Sequence, residues 1–212
     1  MGELRYLLLC DGPSDEALLP ILDWLLETHL PEETSFGEVA PLYSGREERR
    51  LAARLSAIPR LYPALDLLFV HRDAERASLS HRLAEIAAAI AESEGTPPHI
   101  PLVPVRMMEA WLLLDETAIR HAAYNPNGRM QLNLPPLRDM EALPDPKEQL
   151  NQLLRTASGL SPRRLRSFHP SPLRVARFIE DFSPLRSLPS FQQLEDSVAE
   201  FAADWLSCAE QD

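Results

Sequence analysis

Asp11, Asp73, Glu75 and Glu109 are the residues whose type and setting suit chemistry. Asp11 follows an apolar run over residues 4–10, Asp73 and Glu75 follow one over 66–71, and Glu109 follows one over 100–105. Each run is too short for a helix and reads as a buried strand. Ligands of an open parallel sheet bind beyond the carboxyl ends of its strands. Three strand ends therefore bring acids to one edge. Clustered carboxylates repel one another unless they share protons or a cation. A hard ion such as Mg²⁺ or Mn²⁺, held by one or two carboxylates with waters and substrate phosphates, meets that need. It serves phosphoryl transfer or phosphodiester hydrolysis. The bland alternative is local: Asp11 opens the Asp11-Gly12-Pro13 turn, and Asp73 pairs with Arg72 or Arg76.

The elements that must position these acids alternate. After Asp11-Gly12-Pro13, Ser14 is an N-cap, and Asp15 and Glu16 suit the first turn of a helix. Leu18, Ile21, Leu22 and Leu25 continue it, with a kink expected at Pro20. A second strand is expected over 38–44 and a charged, exposed helix over 46–58. The strand over 66–71 precedes a helix with Leu79, Leu83, Ile86 and Ile90 on one face. Another helix is expected over 107–120, carrying Glu109, Trp111 and Asp115, with Trp111 in the core. Strands alternating with helices predict an α/β fold with a mainly parallel sheet flanked by helices. Residues 125–146 are rich in Pro, Asn and Gly and read as a long loop. Asp145-Pro146-Lys147-Glu148 then has the form of a capped helix start, and Ser171-Pro172 and Ser190 open two more helices. Residues 1–123 thus form an α/β core, and residues 124–212 a long loop plus a helical C-terminal lobe packed on it.

The chain has 212 residues, 45% of them hydrophobic and 25% charged, as in ordinary globular proteins. Its formal net charge of −11 makes the average surface repel nucleic acid and anionic membranes, so any such contact needs a local basic patch or a bridging cation. Two distant cysteines, Cys10 and Cys208, argue for a reducing compartment and against a zinc site. No apolar stretch approaches the ~20 residues of a membrane helix. With no secretory pattern at the N-terminus, a cytoplasmic location is expected.

Three segments also resemble a known family. Residues 7–16, an apolar strand followed by Asp11-Gly12-Pro13-Ser14-Asp15-Glu16, resemble the first motif of Toprim domains. Residues 69–75, ending in Asp73-Ala74-Glu75, resemble the second, Asp-x-Asp. Residues 105–115, with Glu109-Ala110-Trp111-Leu112 and Asp115, look like the Glu-x-Trp-Leu-x-x-Asp segment of one Toprim-like group. That group is the domain-of-unknown-function family 4276, related to nucleases of the overcoming-lysogenization-defect type. Asp145-Pro146-Lys147-Glu148 and Leu188-Pro189-Ser190-Phe191 look like its later landmarks. The resemblance implies a Toprim-like fold and Mg²⁺-dependent (or Mn²⁺-dependent) phosphodiester chemistry, a bacterial nuclease in phage defence. Asp11 would stand where the family has its general acid/base, close enough to share the metal. Asp73 and Glu75 would hold the metal, and Glu109 would be an extra acid beside it. Two departures stand out: Asp11 replaces the usual Glu, and Glu75 replaces the second Asp. They leave open a second reading, a catalytically degenerate binding or regulatory subunit working with an ATPase partner.

Between Arg155 and Ile179 lie six arginines and no acid. Arg163, Arg164 and Arg166 are candidates to hold a phosphate backbone, or to dock on the acidic core or a partner. Lys147, the sole lysine, stands at a helix start that suits an anion, or is simply a solvated first-turn residue. A Cys10–His71 nucleophilic pair and a receiver-type phosphoacceptor are further possibilities. No P-loop is present.

Overall fold

The computed structural model describes residues 2–41 and 50–209. Its first strand, β1 (Glu3–Leu9), leads through a 3-10 segment (Pro13–Leu18) into α1 (Leu19–His29). There follow β2 (Thr34–Val39), α2 (Leu51–Leu61), β3 (Leu67–His71), α3 (Leu79–Ala91) and β4 (His99–Leu102). The four strands form one parallel sheet in the order β2-β1-β3-β4. The expected α/β architecture, a parallel sheet flanked by helices with further helices at the C-terminus, is the one observed.

The period-2 alternation of β1 and β3 divides the core between two faces of the sheet. Leu4, Tyr6, Leu8, Leu67 and Phe69 point to one face, where α1 and the C-terminal helices cover them. Leu7, Leu9, Leu68 and Val70 point to the other, against Leu55 and Ile58 of α2 and Ile86 of α3. β3 is buried throughout and β1 from Tyr6 onward, which is why they read as apolar runs. No helix among the described residues is long and apolar enough to cross a membrane.

The C-terminal part adds α4 (Glu116–Ala122), α5 (Pro146–Ser158), α6 (Pro162–Leu165), α7 (Pro172–Phe178) and α8 (Pro189–Ala209). Trp111 is fully buried and meets Phe191 of α8 edge to face, with ring centroids 5.3 Å apart. Leu150, Leu154, Val175, Leu194 and Val198 join the same core that α1 lines. The helical lobe is thus packed on the sheet rather than tethered to it. Asp145 caps α5 by accepting from the Glu148 N–H at 2.9 Å, and Gly159 ends that helix in the left-handed region at φ 62°. Asp145→Ala is expected to cost about 1 kcal/mol in urea denaturation. No change in the midpoint would show that the loop before α5 holds the helix end without the cap.

Several expectations are corrected. The helix after β1 starts as a 3-10 segment capped at Gly12, not at Ser14. Pro20 sits in the first turn of α1, where a proline fits, and does not kink it. The second strand is Thr34–Val39, earlier than expected; 42–44 lie outside the described residues. It is an edge strand with no fully buried residue; only Ser35 and Val39 are half-buried, so its alternation is too weak to read. Of the helix expected over 46–58, residues 46–49 lie outside the described residues. The observed α2 is not an exposed helix, since Leu51, Arg54, Leu55 and Ile58 are buried. The helix expected over 107–120 is a 3-10 segment (Met108–Leu114) and then α4, divided where the Asp115 side chain caps the Ala118 N–H at 3.0 Å. Within the long loop over 125–146, Leu137–Ala142 form a further 3-10 turn.

Candidate functional site

A pocket of about 240 Å³ opens beyond the carboxyl ends of β1 and β3. It is lined by Asp11, Gly12, Asp15, His71, Arg72, Asp73, Glu75 and Arg82. Three of the four acids singled out from the sequence meet in it.

The turn after β1 presents Asp11 outward and buries Asp15. The Asp15 carboxylate accepts from the backbone N–H groups of Gly12 and Asp11, at 2.9 and 3.2 Å, and so braces the turn from inside. Asp11 is bound on both oxygens. Oδ1 takes the buried Arg54 guanidinium at 3.0 Å, and Oδ2 takes Arg72 Nε at 3.0 Å. Arg54 also donates to the Cys10 carbonyl, which fastens α2 to the end of β1. The Cys10 thiol donates to the Gly12 carbonyl, and burial pushes it up to about 12. A thiol held protonated makes a poor nucleophile.

Beyond His71, β3 keeps bonding to the chain that follows β4. The Arg72, Ala74 and Glu75 N–H groups donate to the carbonyls of Leu102, Pro104 and Arg106. Glu75 and Arg106 face each other in the left-handed region, at φ 52° and 67°, and turn the two segments apart. Asp73 then aims back at the sheet end, where its Oδ1 accepts from the Met108 N–H at 3.0 Å. It pairs with neither Arg72 nor Arg76 among the described residues. Its other near neighbour is His71 Nε2, at 3.6 Å, which also lies 3.7 Å from Asp15 Oδ2.

His71 Nδ1 lies 3.2 Å from the Leu102 carbonyl, so Nδ1 carries the hydrogen and Nε2 faces the acids with its lone pair. Burial lowers the His71 pKa and keeps the ring neutral, so these two approaches are not ion pairs. Burial first, then the charges of Glu109, Asp15 and Glu75, raise Asp73 to about 8, although the Met108 N–H opposes them.

Glu109 stands behind this group and does not line the pocket. It is 3% exposed, and burial raises its pKa. The Lys147 ammonium reaches its Oε1 at 3.7 Å from the start of α5 and works in the opposite direction. The sole lysine is therefore neither idle nor in the pocket; it partners the buried acid. Arg163, Arg164 and Arg166 are exposed on and beside α6. Their side chains make no hydrogen bond or ion pair among the described residues.

Sequence reading did not single out Asp15, His71, Arg54, Arg72 or Arg82 as members of this site. Asp15 had one signal, its place three residues after Gly12, where a helix start can fold an acid back on its own cap. Arg54 had another, a lone charge between Leu51 and Leu55 on an apolar face. Arg82 reaches the pocket from the first turn of α3, where it pairs with Glu85 at 2.6 Å; nothing in its neighbours announces this.

Among the described residues, no three His, Cys, Asp or Glu side chains stand close enough together to hold a metal ion. The donor chemistry still fits one of modest demand. Mg²⁺ is commonly held by one or two carboxylates, with water and phosphate oxygens supplying the rest. Among the described residues, Asp73 and Glu75 are the pocket acids held neither by a guanidinium, as Asp11 is, nor by the turn after β1, as Asp15 is. In comparisons with known proteins, no family model, no curated protein and no solved structure matches the chain.

Proposed function

We propose that the chain is a Toprim-like, Mg²⁺-dependent phosphodiesterase, a nuclease of the kind associated with phage defence. One observation supports this above others. Carboxylates that a hard cation would accept and guanidinium groups that a phosphate would accept line one pocket beyond parallel strand ends. Asp73 and Glu75 would hold the cation, which when bound supplies charge to the phosphate and acidity to a water. The protein's own groups do the rest. Arg72 is held by Asp11 and, at 3.4 Å, by Glu85, so its guanidinium is positioned before substrate arrives. Arg82 offers a second cationic group on the same wall. His71 Nε2, neutral, faces Asp73 at 3.6 Å and helps to set the position of that carboxyl. Asp15 fixes the turn that carries Asp11.

Calorimetry with Mg²⁺ and Mn²⁺ tests the reading. Binding to the wild type and its loss in Asp73→Asn are expected. Equal binding to both proteins would remove the pocket acids from the reading. The titration is repeated with a non-hydrolysable phosphodiester present, because substrate phosphates complete the Mg²⁺ shell.

A second reading, a binding or regulatory subunit beside an ATPase, rests on Asp11. With Arg54 and Arg72 on its two oxygens, this residue is poorly placed to accept a proton from a nucleophile. Absence of cation binding, together with co-purification of an ATPase, would favour that reading over hydrolysis.

A further inference from the structure

We infer that the surface formed by the end of α4, α6 and α7 is a stacking site for single-stranded nucleic acid, with Tyr124 as the base-stacking residue. The inference rests on the phosphodiesterase reading for its link to the pocket, but the surface itself is independent of the acids.

Tyr124 directly follows α4 and is 71% exposed, the highest value among the exposed large apolar and aromatic side chains. Its backbone is in the left-handed region at φ 60°, a conformation that costs a residue with a Cβ and suits glycine or asparagine. An exposed aromatic ring held on a strained backbone has no role in the core. Beneath it the Arg174 guanidinium lies 3.9 Å from the ring centroid, fixed by bonds to the Ala122 and His121 carbonyls. The same guanidinium is 5.5 Å from the Phe178 ring, which is 40% exposed and stacks obliquely on His121 at 5.2 Å. The result is an outward-facing tyrosine on a cationic support, with a second aromatic pair beside it. Bases stack on such platforms without regard to sequence.

The charge around the platform has the sign an anionic strand requires. In a chain of net charge −11, the segment from Arg155 to Ile179 holds six arginines and no acid. Arg163, Arg164 and Arg166 are exposed and unpaired among the described residues. Two bonds join them to the platform through α5: Asn125 Nδ2 donates to the Ala157 carbonyl, and Arg155 Nη1 to the Leu165 carbonyl. Two acids close to the platform are engaged, while Glu180, two residues beyond Phe178, is exposed. Glu116 is paired with Arg120, and Glu16 lies 4.0 Å from Arg177. That last contact also gives the direction of the track. Arg177 is on α7 with Arg174 and Phe178, while Glu16 adjoins Asp15, which lines the acidic pocket. A strand on the platform is therefore one helix away from the pocket.

Binding is measured by fluorescence anisotropy in EDTA, where no metal-dependent cleavage occurs, with labelled oligo-dT, oligo-U, a duplex and inorganic polyphosphate as probes. Wild-type protein is expected to bind the single strands more tightly than polyphosphate or the duplex; the dT and U arms tell DNA from RNA. Tyr124→Asn, which suits the left-handed backbone, is expected to keep the melting temperature and to weaken single-strand binding about tenfold. The triple Arg163→Gln, Arg164→Gln, Arg166→Gln variant is expected to weaken binding and flatten its dependence on salt. Wild-type binding that is absent, or equal for polyphosphate and oligo-dT, overturns the inference, as does unchanged binding by Tyr124→Asn. Single-strand binding without cleavage in Mg²⁺ would sustain the platform and count against the phosphodiesterase. Cleavage with Tyr124→Asn binding unchanged would do the reverse.

Discussion

Replacing Asp73 by asparagine is expected to raise the melting temperature by roughly 5–10 °C at pH 8 and by only about 1–2 °C at pH 4. The Asp73 carboxyl is raised from 3.8 to about 8 in the folded chain. Between these values the folded protein binds a proton that the unfolded chain has released. Stability therefore falls as pH rises through this window, and the full penalty is present above pH 8. A difference of this size corresponds to at most about 6 kcal/mol. The side chain is 27% exposed, so relaxation and water reduce this to about 2–3 kcal/mol. Asparagine removes the charge and keeps the local bonds: its oxygen can accept from the Met108 N–H, and its amide can donate to His71 Nε2. Glu109, also raised, and His71, lowered, add their own pH dependence, but it is common to both proteins to first order. The difference between the two melting curves across pH thus isolates Asp73. Coincident curves at pH 8 would mean that Asp73 is ionised there without penalty, and that its neighbours do not crowd it.

The parts of the fold legible in the sequence were those where burial is uniform. β3, and β1 from Tyr6 onward, are buried on both faces, and their apolar runs located both strands within one residue at each end. The caps at Asp145 and Ser171 were legible because their signals are local: an Asp or Ser followed by Pro at the first helical position. β2 was not, because an edge strand with no fully buried residue leaves too weak a period. The break at Asp115 was hidden by six consecutive buried residues, Met108 to Leu113, which look alike whether the turns are 3-10 or α. For the site, position after a strand end was enough to bring Asp11, Asp73 and Glu75 together. What sequence did not supply was the partner of each acid. Arg54 comes to Asp11 from 43 residues away and Lys147 to Glu109 from α5. Such long-range pairs decide which carboxylates stay free for a cation, and one sequence contains no record of them.

Asp73→Ala is expected to reduce Mg²⁺-dependent phosphodiester cleavage on the order of 10³-fold, with far-UV circular dichroism and elution volume unchanged. A catalytic cation contributes several kcal/mol of transition-state charge stabilisation, and each 1.36 kcal/mol is tenfold in rate. Removing one of two carboxylates forfeits most of that. Alanine rather than asparagine is the stringent choice, since an amide oxygen can still ligate weakly. The same residue predicts how binding responds to pH. At pH 7 a carboxyl with a value of about 8 carries its proton, and a cation must displace it. Binding at pH 7 should therefore release close to one proton, read by calorimetry in buffers of different ionisation enthalpy. Affinity should rise about tenfold from pH 6 to 7 and level off above pH 8. Glu75→Ala separates ligation from crowding. Glu75 is exposed and its charge helps to raise Asp73, so its loss should weaken cation binding while shifting the pH dependence to lower pH. If affinity is independent of pH in the wild type, the cation does not bind at Asp73. Cleavage that survives Asp73→Ala would then place the chemistry outside this pocket.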